Sequence, residues 1–490
     1  MFFFRKFIFA IICLSACMPV NELRATDTLE GIQQKVAQYL KRSGARSANW
    51  GIYILDPEDD RILVEVNPDN AFLPASVIKT VTTAAALEKL GPNFRYRTGV
   101  YADGTLNENG VLEGNLVLVG RGNPNLIDVY GDLGQPPALR NLAEEIRNMG
   151  IREITGDLVG DDSYFAPSFN ANGKASADMG TFYGAPVTAL SINNNVVNVT
   201  ARAPKSGKAV TVELEPRNSF FRVRNQAVVG GGGDKQTLTI RLLRASNTIV
   251  VSGTLPVSKT VRQAVVLNKP AETTASIFKD ELERKGVKVK GGVRAVHYGN
   301  EQAGVKRSWI FLAEHESPPL VRGIEIINKR SQNLHAEMLL RTLGAELRGY
   351  GSNESGIEAV KAFLLEAGID NENIRISDGC GLSRENFLTP RFQTALLEFL
   401  LRRPYFNLFF DTLAVSGTDG TLRSRLSSGS VKGSIHAKTG SLNGVTTLSG
   451  YIITQSGKNL VFSIFVNRVT ATETVRKTID EICFLFATIY

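Results

Sequence analysis

Ser76-Val77-Ile78-Lys79, continued by Thr80-Val81-Thr82-Thr83-Ala84-Ala85-Ala86-Leu87, is the stretch on which the fold of this chain turns. Pro74 stands just ahead of it, and the run after Lys79 has the small residues of a helix built for close packing. Residues three apart share one helix face, so the Lys79 amine comes within reach of the Ser76 hydroxyl one turn away. A serine at a helix N-terminus also lies among free backbone N–H groups, which favour developing negative charge. A lysine beside it can act as a base once its pKa is depressed by burial or by a second cation.

Two more strings follow in order. Ser331-Gln332-Asn333 offers a polar relay, and Lys438-Thr439-Gly440 offers a cationic grip for a carboxylate. Together the three are the equipment of a serine acyl-transfer enzyme with no catalytic histidine. Lys438 is the candidate second cation, and residues 433–440 read as a strand whose glycine allows close approach of a substrate. The first two strings also recur elsewhere. S-x-x-K is found again at Ser276-Ile277-Phe278-Lys279, within a charged stretch (276–285) that reads as an amphipathic surface helix. S-x-N is found at Ser47, Ser168, Ser191 and Ser441. Of these, Ser191 is the rival, since it too lies between the outer motifs. It leads straight into a strand at 196–200, where its polar residues end the pairing. Ser331 instead opens a helix over 331–347 whose cap projects Ser331 and Asn333 from a turn.

In these motifs the chain resembles the low-molecular-mass, class C penicillin-binding proteins, the D-alanyl-D-alanine carboxypeptidase/endopeptidase family. The likeness extends to Leu90-Gly91-Pro92-Asn93-Phe94-Arg95, to Asp378-Gly379-Cys380-Gly381-Leu382-Ser383-Arg384, to Gly417-Thr418-Asp419-Gly420-Thr421-Leu422 and to Lys438-Thr439-Gly440-Ser441-Leu442. One departure is Cys380, where the family usually has serine. The resemblance implies a hydrolase without cofactors that cleaves peptidoglycan stem peptides and cross-links through an acyl-enzyme, and that β-lactams inhibit. Ser76 would be the nucleophile, Lys79 its base and Ser331 the relay to the leaving amine. Asn333 would hold the substrate amide, Lys438 and Thr439 would bind the terminal carboxylate, and Gly440 would let the substrate come close. The backbone N–H groups of Ser76 and Ser441 would form the oxyanion hole. Asp178, in the segment from Ala177 to Pro186, would reach the cleft and meet the amine of the substrate's diamino acid. Two alternatives share the trio: a β-lactamase-like hydrolase, which needs a dedicated deacylating base and lacks so long an insert, and an inactive wall-binding protein.

Composition sets the bounds. At 490 residues, two or more domains are expected. The formal charge of +8 falls to about +6 without Arg5 and Lys6, too diffuse for nucleic acid and without an aromatic-interleaved basic stripe. Those two residues precede a short apolar run, 7–16, which reads as an export signal within 1–25 and places the protein in the periplasm or cell envelope. Leu14-Ser15-Ala16-Cys17 resembles a lipoprotein processing site that would leave a lipid anchor on Cys17; cleavage near Ala25 is the alternative. The apolar C-terminal run, 482–490, is too short to span a membrane and reads as a packed helix. Cys380 and Cys483 read as buried thiols in preference to a bridge, and the four histidines form no metal signature.

Texture changes along the chain. A hairpin is expected at 51–66 around Asp56-Pro57-Glu58-Asp59-Asp60. Short strands and glycine turns dominate 104–306, including strands at 116–119, 196–200, 237–243 and 248–252. Longer helices follow at 333–347, 356–367 and 390–402, then strands at 433–439, 446–454 and 459–466 and a final helix at 473–490. Because the motifs flank the middle block, the expected architecture is one α+β domain (27–103 plus 307–490) with an antiparallel sheet between helices, as in penicillin-binding proteins and serine β-lactamases. The mainly β insert, 104–306, would by resemblance hold two subdomains.

Overall fold

A computed structural model describes residues 28–124, 126, 138–167, 184–205 and 209–489. The expected export signal, Cys17 and Asp178 lie outside the described residues. The two flanks of the chain meet in one six-stranded sheet, in the order Ala414–Val415, Ile435–Leu442, Val445–Ile453, Asn459–Asn467, Asn49–Asp56 and Arg61–Val66. Every neighbouring pair in it is antiparallel. The N-terminal hairpin joins through its first strand, with Trp50 opposite Val466 and Ile54 opposite Phe462.

Helices cover both faces of this sheet, and the two central strands are accordingly buried almost throughout. On one face the first helix, Leu29–Leu40, and the last, Thr472–Ile489, bring Ile32, Val36, Ile479 and Phe486 against Ile52, Leu448 and Ile464. The apolar C-terminal run is therefore part of a packed helix. No described helix is long and apolar enough to cross a membrane. On the other face lie Lys79–Leu90, Asn333–Arg348, Asn353–Glu366 and Pro390–Leu401, packed with Phe72, Tyr451, Val461 and Phe465. The small residues after Lys79 serve this packing: every residue from Lys79 to Leu87 is buried, as expected of a helix enclosed on all sides.

The insert is built on a seven-stranded sheet that runs Lys288–Val289, Glu153–Ile154, Val111–Gly120, Arg97–Leu106 and Ile310–Glu316, with Leu158–Asp161 and Val293–Val296 paired alongside. Two three-stranded sheets adjoin it, and one hydrophobic core runs from Val100 and Leu118 in the large sheet to Val199 and Ile249 in the small ones. The border expected between 103 and 104 falls inside the strand Arg97–Leu106, which pairs on both sides with insert strands. The large sheet thus begins at Arg97 and ends at Glu316, because strand pairing ignores the composition change used to draw the line. The helix carrying Ser276 also differs from expectation. It runs Pro270–Arg284 and is half sunk, with Ser276 buried among Ile277, Phe278 and Leu282. Lys279 does not turn to Ser276; its ammonium donates to the Gly291 carbonyl at 2.8 Å.

Candidate active site

Ser76 lies just ahead of the α-helix rather than within its first turn. A 3-10 turn, Ala75–Ile78, precedes the helix that starts at Lys79. Residues i and i+3 eclipse in such a turn, which stacks Lys79 directly over Ser76. The result is a 2.9 Å hydrogen bond from Lys79 Nζ to Ser76 Oγ. Lys79 is fully buried and also donates to Asn333 Oδ1 at 2.7 Å and to the Cys380 carbonyl. Ala75 enters the turn in the left-handed region, φ 46°, a conformation that costs a non-glycine residue on the order of 1 kcal/mol.

The second cation comes from the strand Ile435–Leu442. Lys438 is fully buried there and donates to Ser331 Oγ at 2.9 Å and to the Thr439 carbonyl at 2.8 Å. Burial pushes its pKa well below the usual lysine value, and the positive charge of Lys79 pushes it further the same way. Ser331 does not cap a helix, as its position had suggested. The helix begins at Asn333 after Gln332, with no side-chain cap, and Ser331 lies before it at φ 56°. Its hydroxyl is committed to Lys438 rather than to helix N–H groups. Asn333, on the first turn, faces Lys79.

Two glycines allow the backbone to close around Ser76. A Cβ on Gly440 would stand 2.2 Å from Thr447 Oγ1, 2.7 Å from the Pro74 carbonyl and 3.0 Å from Ser76 N. A Cβ on Gly381, whose φ is 88°, would meet the Ala75 carbonyl at 2.0 Å. No other residue fits either place without moving the turn that carries the nucleophile. Thr447 Oγ1 donates to the Pro74 carbonyl at 2.9 Å and pins the same turn to the sheet.

The loop from Asp378 to Ser383 aims the Cys380 carbonyl at Lys79, a role that no motif advertised. The buried Asp378 carboxylate accepts from Gly381 N at 2.6 Å, Ser383 N at 2.7 Å and Asn386 Nδ2 at 2.8 Å. Glu337 accepts from Gly379 N at 2.9 Å. Glu337, Asp378 and Cys380 bring ligand atoms within 4.8 Å of one another, yet these carboxylates are occupied in clamping the loop. At Cys380 it is the main chain that meets Lys79, so replacing the family's serine leaves that contact in place. Cys380 and Cys483 are buried, unbridged thiols. A backbone carbonyl leaves no trace in a motif search; the D-G-x-G run was the available signal.

The cleft therefore gathers Ser76, Lys79, Ser331, Asn333, Lys438, Thr439 and Gly440, with Ser441 exposed on the same strand. Thr439 Oγ1 donates to Thr421 Oγ1 at 2.8 Å, which adds Thr421 to the rim. Ser191 lies elsewhere, buried in the insert with its hydroxyl donating to the Thr188 carbonyl at 2.9 Å. His436, two residues before Lys438, stacks on Phe410 at 3.9 Å between ring centroids. Burial lowers its pKa, and that of the core residue His335 falls to about 3, so neither ring is charged near neutrality.

The buried Lys438 amine carries a cost that pH can expose. With its folded pKa depressed, the unfolded chain binds more protons up to the ordinary lysine value of about 10.4, and stability rises with pH across that window. Lys438→Met, which keeps the stem and removes the amine, is expected to melt above the wild type near pH 7. The gap should close as pH approaches 10 in a calorimetric series. A gap that is constant or widens with pH would show that this amine is not the destabilising group.

Comparison with known proteins agrees with this geometry. The profile of the D-Ala-D-Ala carboxypeptidase 3 (S13) family matches residues 32–487. A D-alanyl-D-alanine carboxypeptidase from an Actinomadura species is 31% identical over 454 residues, covering 90% of this chain and 81% of that protein. The crystal structure of penicillin binding protein 4 from Haemophilus influenzae superposes with a TM-score of 0.76 at 26% identity, covering 92% of this chain and 97% of that one. Its complex with a novel β-lactam gives 0.72 at 26% identity, over 93% and 99% of the two chains. Matched by the family model over nearly its whole length and 31% identical to a carboxypeptidase over most of both chains, the chain belongs to the D-Ala-D-Ala carboxypeptidase 3 family of serine hydrolases.

Proposed function

We propose that the chain is a serine-type D-alanyl-D-alanine carboxypeptidase and endopeptidase that hydrolyses peptidoglycan stem peptides and their D-Ala-linked cross-bridges. The observation that carries this reading is the 2.9 Å contact between Lys79 Nζ and Ser76 Oγ in a cleft shared with a second buried amine. Lys79 takes the proton as Ser76 Oγ attacks the D-Ala carbonyl, and the N–H groups of Ser76 and Ser441 receive the oxyanion. The close run of Gly440 past Ser76 N supports that pairing. Ser331, hydrogen-bonded to Lys438, returns a proton to the leaving amine. Asn333 holds the substrate amide, and Lys438 with Thr439 receives the terminal carboxylate, a task suited to a fixed cation beside a hydroxyl. Water then releases the acyl group.

A β-lactam carbonyl mimics the scissile amide and leaves a stable acyl-enzyme. Labelled penicillin followed by intact mass and peptide mapping is expected to find one adduct, on Ser76. Ser76→Ala should abolish it and Ser276→Ala should leave it, while Lys79→Ala should slow acylation about 10²–10⁴-fold. An adduct on any other serine sinks the assignment.

Asp178 is proposed to bind the free amine of the stem peptide's diamino acid, by the segment resemblance that runs to Pro186. A charge-assisted hydrogen bond to an ammonium is worth about 1.5–3 kcal/mol, or roughly 10–100-fold in specificity. Asp178→Asn should cost that much on peptides with the free amine and little on the same peptides acetylated there. Equal loss on both would remove Asp178 from the specificity site.

The protein works in the cell envelope, where its substrate is. We infer anchoring through a lipidated Cys17 from the Leu14-Ser15-Ala16-Cys17 string. Cys17→Ser should then shift the protein out of the membrane fraction, whereas a mature N-terminus near Thr26 in mass data would exclude the anchor.

A further inference from the structure

Beyond Thr421 the cleft continues into a cavity of about 600 Å³, within the ~300–1,000 Å³ range of small-molecule sites. Its wall carries four cations (Arg322, Lys329, Arg330 and Arg423) against two carboxylates, Glu325 and Asp419. Both carboxylates are already engaged. Lys329 bridges Asp419 at 2.7 Å and Glu325 at 3.6 Å, and Arg322 pairs with Glu325 at 2.6 Å. Arg423 is exposed on this wall and has no ion pair recorded among the described residues. The wall is also fixed in place. Gly420, at φ 54°, brings its loop so close that a Cβ would stand 2.7 Å from the Lys329 carbonyl. Asp419 in turn accepts from Val415 N at 2.8 Å.

The cavity is joined to the carboxylate grip through the 2.8 Å contact of Thr439 with Thr421. A terminal D-Ala ends at that grip and needs no room past it. A cross-bridge differs, because its leaving amine belongs to a diamino acid whose own carboxylate takes the place of the terminal one, and the rest of that stem peptide continues onward. That peptide bears further carboxylates. An excess of positive charge, on a rigid wall at the leaving-group end, is the complement of such a strand.

We propose that this cavity is the leaving-strand subsite for cross-linked peptides, in which Arg423 binds a carboxylate of the departing stem peptide and so favours cross-bridge cleavage over trimming of free termini. The proposal rests on acyl transfer at Ser76. The bond that breaks and the path of the proton are those already described; only the identity of the leaving amine changes.

The test compares a linear pentapeptide ending in D-Ala-D-Ala with a cross-linked muropeptide dimer on the mature full-length protein. Arg423→Ala should raise KM for the dimer about tenfold with kcat within twofold, and leave both constants for the pentapeptide unchanged. Arg423→Glu should do more, and Arg423→Lys should restore most of the loss. On the wild type, amidating the carboxylates of the departing strand should reproduce the higher KM without any substitution. Equal effects on both substrates, or no effect of amidation and of either Arg423→Ala or Arg423→Glu, overturn the proposal. So does a wild type that trims the pentapeptide but never cleaves the dimer. Failure of penicillin to acylate the wild type would instead strike the acyl-transfer reading itself.

Discussion

Two ammonium groups buried in one cleft set the terms for everything around them. Taking either from water is unfavourable, and placing the second beside the first makes it more so. The acceptors that hold them are the Ser76 and Ser331 hydroxyls, the Asn333 amide oxygen and the carbonyls of Cys380 and Thr439. Neutral acceptors orient an amine without locking its proton on, as a carboxylate would. The Asp378 carboxylate accepts from N–H groups of its own loop, and Glu337, on the helix Asn333–Arg348, accepts from Gly379 N of that same loop. They shape the loop that aims the Cys380 carbonyl at Lys79.

Holding such a cleft together demands stiffness from parts distant in sequence. The nucleophile turn is gripped from the sheet by Thr447, crowded by Gly440 on one side and Gly381 on the other, and backed by a helix with no exposed face. Any one of these could be lost from a looser site. Together they place Ser76, Lys79 and Asn333 within hydrogen-bonding range before substrate arrives, which is how oriented groups lower a barrier.

What could be read in advance was what depends on local geometry. Ser76 and Lys79 meet because they are three residues apart, and the buried helix behind them shows in its alanines and threonines. The strands around Lys438 and the hairpin before Ser76 show in alternation and turn residues. Contacts made by the main chain across long distances were hidden. The Cys380 carbonyl reaches Lys79 only because Asp378 gathers three donors around itself, and no side-chain pattern encodes an aimed carbonyl. Ser331 looked like a helix cap because serine is favoured at that position; with a left-handed backbone at that residue, its hydroxyl meets Lys438 instead. The strand Arg97–Leu106 looked like part of the flank because one of its two partners, Ile310–Glu316, lies more than two hundred residues away.

The six-stranded sheet carries one more consequence, for the order in which the chain can become competent. Its strand Asn49–Asp56 leaves the ribosome early but pairs with Asn459–Asn467, about 400 residues later. Closing so long a loop is slow, and the early hairpin waits with an open edge until its neighbour is made. Ser76 is therefore synthesised long before the strand that carries Lys438 can dock beside it. A chain cut short between Ser76 and its last strands carries that serine but neither Lys438 nor the strands beside it. Ser76 and Lys438 share a cleft only once the C-terminal strands are in the sheet.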